Sequence, residues 1–269
     1  MKAKINGFDM AYDVIGQSGH PMVLIHGFGL SRSIWYQMVK KSLGDVQVIL
    51  PDVRGHGESQ APEGAYPMAL LAEDILNLLD RLNIKKAAIC GHSMGGYIAL
   101  AFAKNYPERL SGLGLITTRA ESDTEEKRAG RYDMVVDVKS EGAVVLAESL
   151  ALKLSKDKAI QEEAYRILSQ TNPKGIIGAL QGMAARPDST SLLKKITVPA
   201  LVAAGREDQI VPVEEAQSMA EALPGAEFLL LESAGHMPML ESPGALGEGL
   251  SRLISRIDKA GHKPLDVAV

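Results

Sequence analysis

A serine between two glycines is the residue in this sequence best suited to nucleophilic chemistry. Ser93 lies in the run Gly91-His92-Ser93-Met94-Gly95-Gly96, which follows an apolar run and opens a helical pattern. A G-x-S-x-G motif in that context is typical of a nucleophile elbow, a sharp strand-to-helix turn that forces the serine side chain outward. The flanking glycines let neighbouring backbone approach without Cβ clashes. A glycine-rich turn that only packs tightly is the alternative interpretation.

A serine hydroxyl needs a base to take its proton, and the base needs a third group to orient it. The run Ser233-Ala234-Gly235-His236 places a histidine directly after the last predicted strand. An acid is available in Gly205-Arg206-Glu207-Asp208, where Glu207 and Asp208 compete for the role. Since loops at the carboxyl ends of parallel strands share one edge of a sheet, these side chains are expected to meet. Four other histidines fall in turns, beside glycines or in the tail: His20, His56, His92 and His262.

A second glycine-rich loop, His26-Gly27-Phe28-Gly29, follows the first buried strand. Backbone N–H groups can stabilise the oxyanion of an acyl-transfer reaction, and the helix N-terminus at Met94 offers one such donor. The N–H of Phe28 is predicted to supply the other. Gly27 keeps the backbone close to the reacting carbonyl, and His26 is expected to hold the loop rather than act as the base.

These loops require a mostly parallel sheet to position them. Short, continuous apolar runs occur at residues 22–25, 46–50, 87–90, 113–116, 200–204 and 228–231, as is typical of strands buried on both faces. Helical patterns separate most of them, including Leu71, Ile75, Leu78, Leu79 and Leu82 at helical spacing. Alternating strands and helices predict an α/β fold with helices on both faces of the sheet. Residues 5–15 begin the chain with two β-like runs around Asn6-Gly7, which predicts a hairpin.

The strand pattern stops between about residues 117 and 191. Charged residues 125–128 are followed by apolar-periodic stretches at 144–152, 160–168 and 176–183, and strands resume near Val198. We interpret residues 119–189 as a helical lid, or cap, inserted into a core formed by residues 1–118 and 190–269. An outer helical layer that merely extends the sheet is the alternative. Residues 260–269 lack helical periodicity and are expected to be frayed or loosely docked.

Composition excludes several classes of protein. The chain has 269 residues, 46% of them hydrophobic, and a net charge of −4, whereas a nucleic-acid-binding protein usually has a basic face. A single cysteine rules out an intramolecular disulfide and a multi-cysteine zinc site. We find no transmembrane segment and no signal-peptide pattern, so a cytoplasmic protein is expected. The oligomeric state is not predicted.

Together, these motifs resemble those of the α/β-hydrolase superfamily with a serine nucleophile. The resemblance covers nearly the whole chain and rests on five segments: residues 26–29, the elbow, the Glu207-Asp208 loop, the Gly235-His236 loop and Pro51-Asp52-Val53-Arg54-Gly55-His56-Gly57-Glu58-Ser59. It implies an eight-stranded sheet with the lid after the sixth strand. It also implies a catalytic triad of Ser93, Asp208 and His236, with the polar residues of segment 51–59 bracing loops.

Within the superfamily, the sequence resembles small bacterial carboxylesterases and the 3-oxoadipate enol-lactonase-like group. Thr118-Arg119-Ala120 and residues 179–190 carry this looser likeness. It implies a hydrolase of short- to medium-chain carboxylic esters that forms an acyl-enzyme on Ser93 and requires neither a metal nor another cofactor. The alternatives are a lactonase or enol-lactonase, a thioesterase, a carbon–carbon bond hydrolase, a perhydrolase side activity, or a non-catalytic receptor for a small ligand.

An apolar pocket of modest size is predicted around the serine. Besides Phe28 and Met94, the residues assigned to it are Gly27, Leu30, Trp35, Leu146, Leu150, Met183 and Met237. Most of these could instead be ordinary core contacts.

Overall fold

An eight-stranded sheet forms the centre of the molecule. The computed structural model describes residues 1–44 and 46–261. Within them the strands follow the order β1-β2-β4-β3-β5-β6-β7-β8 across the sheet. Their bounds are β1 Lys2–Ile5, β2 Phe8–Ile15, β3 Pro21–Ile25, β4 Gln47–Pro51, β5 Ala87–His92, β6 Leu110–Ile116, β7 Ala200–Gly205 and β8 Glu227–Leu231.

The two N-terminal strands are antiparallel and the remaining pairs are parallel, as predicted. The β1–β2 hairpin turns at Asn6 and Gly7, whose φ angles of 43° and 80° are the left-handed values that this dipeptide tolerates. Strands β3, β5 and β7 consist almost entirely of buried residues. This burial explains why their sequences are continuous apolar runs rather than alternating ones.

Helices cover the sheet on both faces, with α1 packed against α11 and α2 against α3. The bounds are α1 Tyr36–Ser42, α2 Met68–Arg81, α3 Met94–Asn105, α4 Glu125–Glu141, α5 Val144–Leu154, α6 Lys158–Gln170, α7 Pro173–Ala184, α8 Thr190–Leu193, α9 Val213–Ala222, α10 Pro238–Glu241 and α11 Pro243–Gly261. Short 3-10 turns occupy Arg32–Trp35 and Pro107–Arg109. In α2, the predicted apolar stripe of Leu71, Ile75, Leu78 and Leu79 is buried.

Residues 119–189, here called the inserted segment, lie between β6 and β7 and contain helices α4 to α7. Helix α4 packs against α7, and α5 against α6. No strand interrupts this stretch of the described chain, which agrees with the helical pattern of the sequence. Its role as a lid stays a prediction.

The start of β6 and the end of α11 differ from the sequence prediction. Strand β6 begins at Leu110, three residues earlier than the apolar run suggested, because Ser111 and Gly112 hide its start. Ala260 and Gly261 belong to α11 rather than to the predicted frayed tail, and the remainder of that prediction, residues 262–269, lies outside the described residues. Over residues 1–44 and 46–261, no helix combines the length and apolarity that crossing a bilayer would require.

Candidate active site

Ser93 occupies a strained turn between strand β5 and helix α3. Its φ and ψ angles are 52° and −114°, a combination that non-glycine residues seldom adopt. The flanking glycines make this turn possible, because a Cβ on Gly91 would overlap the Gly95 carbonyl and one on Gly95 would overlap the Ile25 carbonyl. The sequence therefore builds the predicted elbow, with a half-buried serine at its tip.

Hydrogen bonds from the neighbouring strand hold this elbow in place. The Ser93 N–H donates to the Ile116 carbonyl at 2.9 Å, and the Thr118 hydroxyl donates to the Ser93 carbonyl at 2.7 Å. Thr118 also lies against Gly96, where a side chain would clash with it. The end of β6 thus fixes the position of the nucleophile candidate.

His236 and Asp208 form a buried pair beside the elbow. The His236 Nδ1 lies 2.8 Å from the Asp208 Oδ2, and their side chains are only 2% and 1% exposed. The other Asp208 oxygen accepts from the N–H groups of Ile210 and Val211, at 2.7 and 3.0 Å. Glu207, the competing acid, is instead 42% exposed and pairs with Lys156. With Nδ1 bonded to a carboxylate, Nε2 is the imidazole nitrogen left to accept a proton.

A second carboxylate, Glu241 of α10, holds the loop that contains His236. Its Oε2 accepts from the N–H groups of Gly235 and Met237, at 2.8 and 3.0 Å. Its Oε1 accepts from the hydroxyl of Ser155 at 2.6 Å, which ties the loop to the inserted segment.

The backbone of His236 is itself bonded on both sides. Its N–H donates to the Leu154 carbonyl at 3.1 Å. Its carbonyl accepts from the Thr117 hydroxyl at 3.2 Å and bonds His92 Nε2 at 2.7 Å. The orientation of this histidine therefore depends on strand β6, strand β5 and the inserted segment together.

The two predicted oxyanion donors are unengaged. Neither the N–H of Phe28 nor that of Met94 donates to an acceptor within the described residues. His26 braces their loop, since its Nδ1–H donates to the Gly27 carbonyl at 2.8 Å and its Nε2 accepts from Val53 at 3.0 Å. The inserted segment also contributes, because the Thr171 hydroxyl donates to the Gly29 carbonyl at 2.7 Å.

Three histidines near this site are fully buried and favour the neutral form. Burial lowers the pKa of His26 to about 4 and that of His56 to about 3, and it lowers the pKa of His92 well below its ordinary value. His56 bonds the Arg54 carbonyl through Nδ1 at 3.0 Å. These residues hold loops in the folded protein, as the sequence suggested for His26.

Buried ion pairs hold the turn after β4. The Asp52 carboxylate accepts from the Arg32 guanidinium and from the N–H groups of Arg32 and Glu58. Arg54 pairs with Asp74 through two hydrogen bonds of 2.9 and 2.7 Å. Both pairs lie outside the cavity at Ser93 and brace loops, as expected.

A cavity of about 110 Å³ contains both Ser93 and His236. Four of the predicted pocket residues line it: Phe28, Leu30, Leu150 and Met183. The other predicted residues do not line it and instead pack behind it. Trp35 is fully buried with its ring edge-on to His92, Met94 and Met237 are fully buried, and Leu146 and Gly27 pack against Gly29 and His92 respectively.

Sequence reasoning missed five residues of the cavity wall: His92, Tyr97, Arg131, Leu154 and Ile210. A signal existed for Tyr97, because it lies four residues after Ser93 and so projects from the same side of the helix. Arg131 and Leu154 belong to the inserted segment, whose contacts with the core are distant in sequence. The bond between Glu241 and Ser155 of that segment is also distant in sequence, at 86 residues.

The described part of the chain contains no cluster of three or more histidine, cysteine, aspartate or glutamate side chains arranged to hold a metal ion. The groups at the site whose chemistry can be assessed are the serine, the imidazole, the carboxylate and the backbone N–H groups.

Comparisons with known proteins agree with this geometry. The family model for the alpha/beta hydrolase fold matches residues 20–243. A thermophilic esterase from Thermogutta terrifontis, solved with malate bound, is 34% identical; the match covers 96% of this chain and 98% of that one, with a TM-score of 0.91.

Two enol-lactonases are also similar. The 3-oxoadipate enol-lactonase 2 of Acinetobacter baylyi is 28% identical over 92% of this chain and 93% of its own. The solved enol-lactonase of Burkholderia xenovorans is 27% identical, with a TM-score of 0.87 over 95% of this chain and 100% of that one.

Proposed function

The chain belongs to the α/β-hydrolase family, and from this premise we propose that it hydrolyses carboxylic esters through an acyl-enzyme on Ser93. The observation that carries the proposal is the buried His236–Asp208 pair, with 2.8 Å between Nδ1 and Oδ2, whose histidine lines the same cavity as the strained Ser93. A base oriented by a carboxylate and placed beside a serine is the arrangement that activates a hydroxyl nucleophile.

In the proposed mechanism, the Ser93 Oγ attacks the ester carbonyl while His236 Nε2 takes its proton. Asp208 accepts the hydrogen bond from Nδ1–H and stabilises the imidazolium that forms. The N–H groups of Phe28 and Met94 bind the tetrahedral oxyanion, which the helix dipole of α3 also favours.

The tetrahedral intermediate collapses by breaking the bond to the alcohol oxygen, which takes the proton from His236. Water then attacks the acyl-enzyme while His236 again accepts a proton, and the acid departs as Ser93 regains its own. The second step repeats the first, with water in place of the serine.

The small cavity and its apolar wall favour short to medium acyl chains. A lactone is an internal ester that the same steps would open, and the likeness to two enol-lactonases makes this the second candidate. Thioester hydrolysis, carbon–carbon bond hydrolysis, perhydrolysis and a ligand-binding role without turnover remain as less supported alternatives.

The first test is hydrolysis of para-nitrophenyl esters from acetate to decanoate by the wild type and Ser93→Ala. We expect the wild type to turn over short esters fastest and the variant to lose on the order of 10⁶ in kcat, as for other triad nucleophiles. A fluorophosphonate probe should label the wild type at Ser93 and leave the variant unlabelled.

Each result assigns the protein to a different class. Retained activity in Ser93→Ala would contradict the proposed acyl-enzyme on Ser93. Faster hydrolysis of long-chain esters than of butyrate esters would contradict the preference for short to medium acyl chains. A single stoichiometric release of para-nitrophenol without turnover would indicate a receptor. Turnover of enol-lactones but not of open esters would favour the second candidate.

A further inference from the structure

One strongly basic side chain reaches the cavity of Ser93 from the inserted segment. Arg131 of helix α4 lines this cavity, and its side chain is 21% exposed. No other arginine or lysine of the described chain belongs to the cavity wall. A cation beside a reacting serine has no role in the ester hydrolysis proposed above, so its presence needs a separate explanation.

The guanidinium is held so that one of its nitrogens stays available. Arg131 pairs with the buried Asp123 carboxylate through Nε and Nη2. Its Nη1 has the Met183 sulfur, 3.4 Å away, as its one hydrogen-bond partner among the described residues. A thioether is a weak acceptor, so Nη1 retains donor capacity toward a stronger one.

The carboxylate that holds Arg131 is shared with a second guanidinium. Arg186 lies 2.7 Å from the Asp123 Oδ1 through its Nη1 and stacks over the Tyr97 ring, 4.1 Å from the centroid. Asp123 therefore supplies a single negative charge to two arginines. The pair with Asp123 fixes the orientation of Arg131 without dedicating a full counter-charge to it.

The rest of the wall contains no acidic side chain that could serve Arg131 from across the cavity. Within the described residues, its members other than Ser93, Tyr97, Arg131 and the two histidines are apolar: Phe28, Leu30, Leu150, Leu154, Met183 and Ile210. Of the histidines, His92 is fully buried, which lowers its pKa well below the ordinary value and favours the neutral form, and the Asp208 carboxylate is bonded to His236. An apolar wall excludes water, and a charge-assisted hydrogen bond is stronger there than in solvent.

We propose that Arg131 recognises a carboxylate on the substrate, so that the preferred esters of this enzyme are anionic. The substrate carboxylate accepts from the Arg131 Nη1 in place of the Met183 sulfur, while the ester carbonyl lies at Ser93. This inference rests on the proposed function and narrows its substrate class. The carboxylate belongs either to the acyl group, as in a half-ester of a dicarboxylic acid, or to the alcohol. The experiment distinguishes these two possibilities by using a separate pair of esters for each.

The test compares pairs of esters in which one member carries a carboxylate and the other carries a carboxamide at the same position. On the acyl side, these are the mono-4-nitrophenyl ester of adipic acid and that of adipamic acid. On the alcohol side, they are 4-acetoxybutanoate and 4-acetoxybutanamide, followed by acid release. Each pair is measured with the wild type, Arg131→Gln and a matched control, Arg128→Gln, which removes the same charge from an exposed position of α4 that pairs with Glu125.

The wild type is expected to prefer the carboxylate in at least one pair by about 10- to 100-fold in kcat/KM, the range of a charge-assisted hydrogen bond. Arg131→Gln should lose most of that preference, mainly through KM, and Arg128→Gln should keep it. Arg131→Lys, which retains the charge, should keep part of it. An equal decline for both members of each pair would show that Arg131 only fastens α4 to Asp123, and would overturn the proposal.

A binding measurement keeps the inference separate from the proposed function. Calorimetric titration of the wild type with adipate and adipamide needs neither turnover nor a stable variant, and adipate should bind at least tenfold more tightly. If esters are not hydrolysed and Ser93 is not labelled, but adipate still binds preferentially, the ester hydrolase proposal fails and anion recognition stands. If esters are hydrolysed but adipate binds no better than adipamide, anion recognition fails alone.

Discussion

The loops at the carboxyl edge of the sheet and the inserted segment above them form the same cavity but are built in different ways. Ser93 is held by glycines within two residues of it in the sequence and by hydrogen bonds to strand β6. Residues 119–189 are instead linked to the core by long-range polar contacts, such as Ser155 to Glu241 and Thr171 to Gly29.

This difference separates the reaction from its selectivity. In the proposed mechanism, the core loops supply the serine, the imidazole, the carboxylate and the free N–H groups, which any ester would use. The inserted segment adds Arg131, Leu150, Leu154 and Met183 to the cavity wall, and we propose that these residues select the ester. We therefore expect substitutions in the core loops to alter kcat for all substrates. Substitutions in the inserted segment should instead change the preference among substrates.

The largest effect after loss of Ser93 is expected for Asp208→Asn. An amide can hold the imidazole in the wrong tautomer and no longer stabilises its cation, which costs about 10⁴ in kcat in another triad enzyme. We expect a loss of about this size for every ester, because Asp208 belongs to the core loops. Steady-state kinetics on two esters of different charge would measure it.

Glu207→Gln is the matched control for that variant. Glu207 is the neighbouring acid and pairs with Lys156 on the surface. A comparable loss in Glu207→Gln would contradict the assignment of Asp208 as the acid.

Within the inserted segment, the largest effect is expected for Asp123→Asn, and it concerns stability. Burial alone would raise the pKa of Asp123, but hydrogen bonds and charges from Arg131 and Arg186 outweigh burial and lower it. Removing the charge leaves the 3%-exposed Arg186 without that counter-ion. Breaking a buried ion pair in this way costs about 3–5 kcal/mol of unfolding free energy.

Urea unfolding would measure that loss, with Asp133→Asn as the control that removes an exposed acid from the same segment. A change in the free energy of unfolding below about 1 kcal/mol, the range of a surface ion pair, would show that the ion pairs of Asp123 with Arg131 and Arg186 contribute little to stability.

The same contrast explains what the sequence could predict. The sequence locates strand β3 to within one residue because its apolar run is uninterrupted, and it indicates that Ser93, Asp208 and His236 lie at one edge of the sheet because each comes soon after such a run. Glu241, Arg131 and Thr117 could not be found in this way. Thr117 bonds His236, 119 residues away, and Glu241 bonds Ser155, 86 residues away, while Arg131 reaches a cavity lined by residues distant in the chain. No local pattern encodes such contacts.

Glu241→Gln tests the link between the two regions and should have a smaller effect on activity than Asp208→Asn. The amide loses the charge that binds the N–H groups on either side of His236, so the imidazole is positioned less firmly. Hydrogen bonds to charged groups contribute about 1.5–3 kcal/mol, which predicts a decline in kcat of about 10- to 100-fold.

Ser155→Ala removes only the bond from the inserted segment to Glu241. It should reduce kcat less than Glu241→Gln does, because both N–H bonds to the loop remain. If Glu241→Gln instead lowered the thermal midpoint without changing kcat at 25 °C, the role of Glu241 would be purely structural and the positioning role would be refuted.

The smallest effect per residue is expected from the buried histidines of the core, and it concerns how the free energy of unfolding depends on pH. The folded-state pKa values of His26 and His56 are lowered to about 4 and about 3, and that of His92 is also lowered, whereas an unfolded histidine titrates near 6.5. Below pH 6.5 the unfolded chain binds more protons, so the free energy of unfolding falls with falling pH. Each histidine contributes up to about 1.4 kcal/mol per pH unit.

Urea unfolding at pH 7, 6 and 5 would show this slope, since ordinary carboxyl groups remain ionised in that interval. His56→Asn should reduce the slope by up to one proton. A free energy of unfolding that stays constant from pH 7 to 5 would show that these histidines are protonated equally in both states.

The bonds from the inserted segment to the two catalytic loops have a consequence for exchanging parts between relatives. Thr171 anchors the loop of Phe28 through Gly29, and the Leu154 carbonyl and Ser155 hydroxyl anchor the loop of His236. In a chimera that receives a foreign segment, the cavity would change shape, and the proposed oxyanion donor and the proposed base would at the same time lose supports. To transfer specificity between relatives in this scaffold, the hydroxyls at positions 155 and 171 must be transferred with the segment. Without them, a substrate that fits the new cavity better would bind beside misaligned groups of the proposed mechanism.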